Sequence, residues 1–225
     1  SKSEDNRALL TNMAAGIFIL PVFWFSPIAG QIADKTEKSL LIRWVKRLEL
    51  LIMLMAAFCI VSSNVWGMMA LLFLMGLQSA IFGPVKFALL PQHLHADELV
   101  GGNALVEMGT FVAILAGTIG AGLLFDFSHK ELWLAAAVIA FALFGVISSQ
   151  FIPPAAANDP DLRINWNPLT ELVNTIKQAR QNRAVFLAIV AISWFWFIGA
   201  SYLTQFPNFS KEYLGGSTQL VTLLL

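Results

Sequence analysis

Gly30-Gln31-Ile32-Ala33-Asp34-Lys35-Thr36-Glu37-Lys38, followed by Arg43, Lys46 and Arg47, is the stretch around which the rest of the chain is ordered. It separates two long apolar stretches, Leu9–Ile28 and Leu48–Val61. No other connector gathers so much Lys and Arg in so little sequence. In a chain threaded through a bilayer, such an excess marks the cytoplasmic side: cations are costly to translocate and anionic lipid retains them. With this loop inside, the side of every later connector follows by counting.

Composition supports a membrane setting. The chain has 225 residues, of which 57% are hydrophobic and only 12% charged. A soluble domain carries about a quarter charged residues. Most of this surface must therefore face something other than water, and the long apolar runs make the fold an all-α polytopic membrane bundle. Formal net charge is zero, which removes the basic footprint of a nucleic-acid binder. One cysteine, Cys59, cannot form a disulfide within the chain, and no metal-ligand spacing occurs. No glycine-rich loop follows a strand and no catalytic triad spacing is present, so neither cofactor nor enzyme chemistry is indicated. Ser1–Asn6 is polar and lacks a cleavage pattern. Gln219–Leu225 is apolar but shorter than the ~20 residues that cross a bilayer. The chain thus reads as a fragment that begins after one span and ends inside another.

Six spans follow in order: about Leu9–Ala33, Ile42–Ser62, Val65–Leu90, Val100–Phe125, Leu132–Ile152 and Ala184–Thr204. Pro21 and Pro27 predict bends in the first, tolerable where neighbouring helices satisfy freed backbone groups. The connectors alternate: inside at Gly30–Arg47, outside at Ser62–Asn64, inside at Pro91–Glu98, outside at Asp126–Glu131, inside at Pro153–Arg183, outside at Gln205–Ser217. Both basic connectors fall inside. Pro153–Asn167 reads as a linker. Asn167-Pro168 reads as an N-cap with proline at the first helical position. Leu169, Leu172, Val173, Ile176 and Ala179 then follow helical spacing, an amphipathic helix on the inner membrane surface. In the fourth span Gly109, Ala113, Gly117 and Ala121 recur every four residues, a small row that lets two helices approach closely.

Three ionisable residues lie inside spans: Glu49, Lys86 and Glu107. A charge in lipid is costly, so each should face protein or water. Glu49 lies about seven residues from the cytoplasmic end of its helix, Glu107 about eight and Lys86 slightly fewer, each on the order of 10 Å deep. A lysine between two glutamates at one depth is either a structural ion pair or a gate or head-group site. Lys86 stands out because Gly83-Pro84 precedes it. That dipeptide predicts a break in the helix and a freed carbonyl, and a lysine there offers a point charge suited to a mobile phosphate. His93, His95, Asp97 and Glu98 could be read as a metal site, but alternating spacing in a short polar connector favours a solvated turn.

The basic loop resembles the signature of the major facilitator superfamily, G-x-x-x-D-(R/K)-x-G-(R/K)-(R/K). Gly30, Asp34, Lys35 and Lys38 match it; Glu37 replaces the second glycine and Ser39 the last basic residue. In that family the Asp latches the outward-open state, which implies a gating role for Asp34 with Gly30, Lys35 and Lys38. Gly83-Pro84-Val85-Lys86-Phe87-Ala88-Leu89-Leu90 is similar to S-P-A-K-Y-G-I-L of the lysophospholipid transporter branch, and Asn103-Ala104-Leu105-Val106-Glu107 to its N-G-L-x-E. Asp5-Asn6-Arg7-Ala8-Leu9-Leu10 and its spacing to Gly30 resemble the form fused to an acyltransferase and acyl-carrier-protein synthetase.

The resemblance implies residues 1–152 as helices two to six of an N-terminal bundle, with the first helix missing. Residues 153–183 would be the cytoplasmic linker, and 184–225 helix seven and a truncated helix eight. It implies a multi-pass transporter of the bacterial inner membrane that flips lysophospholipid for re-acylation. Lys86, Glu49, Glu107, Asn103 and Gln78 would contribute to substrate binding, with no cofactor. Its partners would be membrane lipid and a fused or associated acyltransferase. A drug, sugar or small-solute transporter of the same fold, and the membrane portion of an acyltransferase, are the competing readings.

Overall fold

A computed structural model describes residues 2–124 and 127–212, and the side chains of residue 10, residues 13–124 and residues 127–202. Asp126 and the apolar end Gln219–Leu225 lie outside the described residues, as do the side chains of Asp5–Leu9 and Gln205–Ser217. Eight helices run in order among the described residues, with no strand: α1 Lys2–Lys35, α2 Lys38–Val61, α3 Val65–Ala88, α4 Leu90–His93, α5 Leu99–Leu124, α6 Lys130–Ser149, α7 Pro168–Gln181 and α8 Arg183–Glu212. The all-α bundle expected from the sequence is thus what the chain forms.

Among the described residues, five helical stretches are long and apolar enough to cross a membrane: Met13–Lys35, Val65–His93, Leu99–Leu124, Lys130–Ser149 and Arg183–Tyr202. Their outward side chains are large and apolar. Phe141 is 75% exposed and Trp66 74%, an arrangement that water would not tolerate and lipid favours. α2 differs. It has 24 residues, but Lys46, Arg47 and Glu49 lie within it, and its uninterrupted apolar part is only Leu50–Val61.

Caps account for the boundaries. Glu37 caps α2, its carboxylate accepting from the Ser39 and Leu40 amides. Asn64 Oδ1 accepts from the Gly67 amide to start α3, after a tight turn in which Ser63 takes a φ of 53°. Asn167 Oδ1 accepts from the Leu169 and Thr170 amides, so the expected Asn-Pro start of α7 is present. Asn182 does the same for α8.

Two expectations change. Gly83-Pro84 does not break α3, which continues as one helix to Ala88. A single proline removes one donor, and its fixed φ is already helical, so a packed helix can run through it. α8 likewise runs past Thr204 to Glu212, because a helix that leaves the membrane keeps its own backbone hydrogen bonds.

The chain divides into two compact units. One holds Ser1–Leu105 and Ser128–Glu171, the other Val106–Phe127 and Leu172–Leu225. In the first, α1 packs on α3, α3 on α2, and α2 on α6. Buried Ala33, Ile42 and Val85 form one core at the basic end; Ile52, Cys59 and Leu71 form another between α2 and α3. In the second unit, the Phe111 ring of α5 stacks on Trp196 of α8, centroids 5.8 Å apart. The small row of α5 faces open space: a Cβ at Gly109 or Gly117 meets nothing within 4 Å, and Ala113 is exposed.

The α1–α3 crossing depends on Gly76. A Cβ there would press into the Phe18 carbonyl and the Pro21 ring, both backbone-rigid neighbours. Gly76→Ala should therefore cost about 1–3 kcal/mol, read as an earlier thermal transition of the full protein in detergent. Gly83→Ala, where a Cβ meets nothing within 4 Å, should leave the transition unmoved or raise it slightly.

Candidate functional site

The basic loop is not a free surface loop. The stretch that follows α6 lies across it as a strap. The Lys38 amide donates to the Ala155 carbonyl at 2.8 Å, and the Asp159 amide to the Asp34 carbonyl at 3.0 Å. Lys38 is entirely buried. Its Nζ donates to the Ala156 carbonyl and to Asn158 Oδ1, each at 3.0 Å. Asn158 Nδ2 donates to Asp34 Oδ1 at 2.8 Å. Lys35 Nζ donates to the Leu162 carbonyl at 2.9 Å. Gln31 closes the far end, Nε2 donating to the Asn165 carbonyl at 3.2 Å and Oε1 accepting from the Asn165 amide at 2.7 Å.

Glu37 is the hinge pin of this arrangement. Besides capping α2, its Oε1 accepts from the Ala155 amide at 2.6 Å and from the Ser39 hydroxyl at 2.8 Å. Burial pushes the carboxyl pKa up, but the hydrogen bonds from the Ala155 and Leu40 amides and from Ser39 outweigh it and hold the value below the usual glutamate range. Glu37 and Ser39, which depart from the superfamily signature, are thus bonded to each other. Gly30, which matches it, has open space around its Cα: a Cβ there meets nothing within 4 Å.

Three connectors meet at this strap. Gln92, in α4, donates through Nε2 to the Ala156 carbonyl at 2.9 Å and to Asn158 Oδ1 at 3.1 Å. Arg43 reaches the carbonyls of Ser149, the last residue of α6, and of Ile152 just past it, at 3.4 and 3.0 Å. The connectors Gly30–Arg47 and Pro91–Glu98, both assigned inside by charge counting, therefore each bond to the third, Pro153–Arg183. His93, His95, Asp97 and Glu98 are exposed, and Glu98 Oε2 accepts from the His95 amide at 2.9 Å to close a turn.

Deeper in the first unit sits a polar triad. Lys46 Nζ pairs with Glu49 Oε2 at 2.7 Å, and Gln78 Nε2 donates to the same oxygen at 2.9 Å. Gln78 is 3% exposed. Lys46 Nζ also lies 4.5 Å from the Phe82 ring centre. Its stem passes Gly145 of α6, where a Cβ would sit in ordinary contact, 3.4 Å from Lys46 Cδ. The triad thus ties α2 to α3 beside α6. The sequence reading set Glu49 against Lys86 and counted Lys46 with the basic loop; the i,i+3 spacing of Lys46 and Glu49 was the available signal for this pair.

Lys86 lies half-buried in the last turn of α3, its Nζ 4.7 Å from the Phe87 ring centre. Gln78, Phe82 and Lys86 recur every four residues and so share one helix face. Asn103 is exposed and donates through Nδ2 to the Leu99 carbonyl of its own helix at 2.7 Å. Glu107 belongs to the part of α5 in the second unit. An apolar crevice between α2 and α3, lined by Leu54, Phe58, Cys59, Leu71 and Leu74, offers no polar group to a head group.

Two outcomes follow. A glutamate held below its ordinary pKa stabilises the fold at pH values above the unfolded value, about 4.3, and that contribution is lost as pH falls through the lower folded value. The stability difference between the wild type and Glu37→Gln should therefore be full at neutral pH and shrink at acid pH, measured by thermal melts across pH. Lys46→Met should destabilise by roughly 1–3 kcal/mol, because it strands the Glu49 carboxylate. Lys46→Met with Glu49→Gln should recover much of that loss in the same melts.

The family model of the Major Facilitator Superfamily matches residues 6–225. The lysophospholipid transporter LplT of Escherichia fergusonii is 31% identical over 202 residues, covering 88% of this chain and 47% of that protein. LplT of Escherichia coli O7:K1 is 29% identical over 199 residues, covering the same shares of each chain. LplT of Shigella boydii serotype 18 is also 29% identical over 199 residues, again covering 88% of this chain and 47% of the relative. The chain spans about half the length of these curated relatives. A bundle of apolar helices, a basic connector matching the superfamily signature at Gly30, Asp34, Lys35 and Lys38, and a family match across nearly every residue lead to one conclusion: the chain belongs to the Major Facilitator Superfamily.

Proposed function

We propose that this chain is part of a transporter that moves lysophospholipid across the bacterial inner membrane by alternating access, in which two helix bundles rock about a central site. The observation that carries the reading is the likeness to three lysophospholipid transporters over 88% of the chain, together with a lysine, Lys86, on a polar face of α3. In this reading residues 1–152 are the N-terminal bundle, 153–183 the cytoplasmic linker and 184–225 the start of the second bundle.

The chemistry is that of a zwitterionic lipid with one acyl chain. Its phosphate needs a cation that can follow a moving head group. The Lys86 ammonium, on a flexible stem, supplies one. Its amine or choline needs acceptors, and Glu49, Glu107, Asn103 and Gln78 are the acceptor-bearing side chains assigned to binding. Its tail needs no site, because the bilayer takes it. Asp34, Lys35 and Lys38 are assigned to the cytoplasmic gate. No step makes or breaks a covalent bond, so no catalytic group or cofactor is invoked. The product would be handed to an acyltransferase, fused or separate, that restores the second chain.

The test is uptake of labelled lysophosphatidylethanolamine into spheroplasts carrying the intact protein. Lys86→Ala should abolish uptake by at least about tenfold, the loss of one charge-assisted contact, with membrane insertion unchanged. Full uptake by the variant would remove Lys86 from the site. Competition by drugs or sugars, and none by lysophospholipid, would move the substrate class elsewhere in the superfamily.

A further inference from the structure

The strap raises a question that the gating assignment of the loop does not answer: what Asp34 is bonded to. Its carboxylate accepts from the side-chain amide of Asn158. We propose that Asn158 is a positioning residue of the cytoplasmic gate, a keeper that occupies Asp34 and Lys38 together and must let go before either can take another partner. This rests on the gating reading of the α1–α2 loop.

The hydrogen-bond inventory makes the choice of side chain specific. An amide has an acceptor at one end and two donors at the other. Asn158 Oδ1 takes the Lys38 ammonium at 3.0 Å and the Gln92 amide at 3.1 Å. Its Nδ2 gives to Asp34 Oδ1 at 2.8 Å. Every neighbour is of the sign that its atom requires. A carboxylate in place of Asn158 would keep Lys38 and Gln92 but oppose Asp34 at hydrogen-bond distance, and an apolar residue would strand the buried Lys38.

The backbone on either side holds Asn158 in register. Ala155 is bound at both its amide and its carbonyl, by Glu37 Oε1 and the Lys38 amide. Asn165 is bound at both by Gln31. Three connectors, from α1–α2, α3–α5 and α6–α7, converge on this one amide, so its release removes a bond from each of them at once. The first compact unit ends at Glu171, and the strap from Ala155 to Asn165 is fastened within it.

The test uses the full-length protein in lipid nanodiscs, with hydrogen exchange followed in the peptides covering residues 153–165. The amides of Ala155, Asp159 and Asn165 should be protected in the wild type, because each donates to the loop or to α1. Asn158→Asp should raise exchange of this segment by about tenfold or more. Adding Asp34→Asn restores a donor facing an acceptor and should return the protection. In lysophosphatidylethanolamine uptake, Asn158→Asp should change the maximal rate and leave the apparent KM unmoved, because the residue does not touch substrate. Unchanged exchange in Asn158→Asp, a double variant that stays unprotected, or an effect on KM alone would overturn the proposal. A wild type with a protected strap and no uptake would sink the substrate reading by itself, and the exchange series would still decide the role of Asn158.

Discussion

A single buried ammonium organises the basic side of this molecule. Lys38 is fully enclosed, and a buried cation without acceptors would cost several kcal/mol. Its acceptors come from the strap, at Ala156 and Asn158. The strap must therefore lie where it does as long as Lys38 stays ionised and buried. Glu37 reinforces the same geometry from the next residue, because its carboxylate satisfies both the start of α2 and the Ala155 amide. Helix start, loop and strap thus form one hydrogen-bonded unit. Disturbing any of them exposes the polar groups of the other two.

The second polar feature works differently. Lys46, Glu49 and Gln78 satisfy one another within the first unit, so their charges add little outward field. Lys86 lies on the same face of α3 as Gln78, two turns further along the helix. The triad fixes how α2 meets α3.

How much of this was legible beforehand depended on the range of the interaction. Helix periods and the Asn167-Pro168 start of α7 are local properties, so they could be read directly. Gln92 and Lys38 join the three connectors that charge counting assigns to one side, through Ala156 and Asn158. Long-range pairing could not be read. Asn158 looked like one polar residue in a loose linker, and nothing near it in sequence announces Lys38 or Asp34. Glu37 looked like a lapse from a glycine pattern, whereas its carboxylate is what fastens the strap. Gly83-Pro84 misled in the opposite sense: the dipeptide suggests a break, but a helix wrapped by neighbours absorbs one missing donor.

The short apolar part of α2 carries a consequence for the surrounding bilayer. Leu50–Val61 rises about 18 Å as a helix, against a hydrocarbon core about 30 Å thick. Leu51, Leu54 and Phe58 on this stretch point outward, so lipid meets it directly. A span shorter than the hydrocarbon core thins the bilayer beside it or draws flanking long side chains toward the interface, and the Arg47 guanidinium here lies over the exposed ring of Trp44, 5.2 Å from its centre.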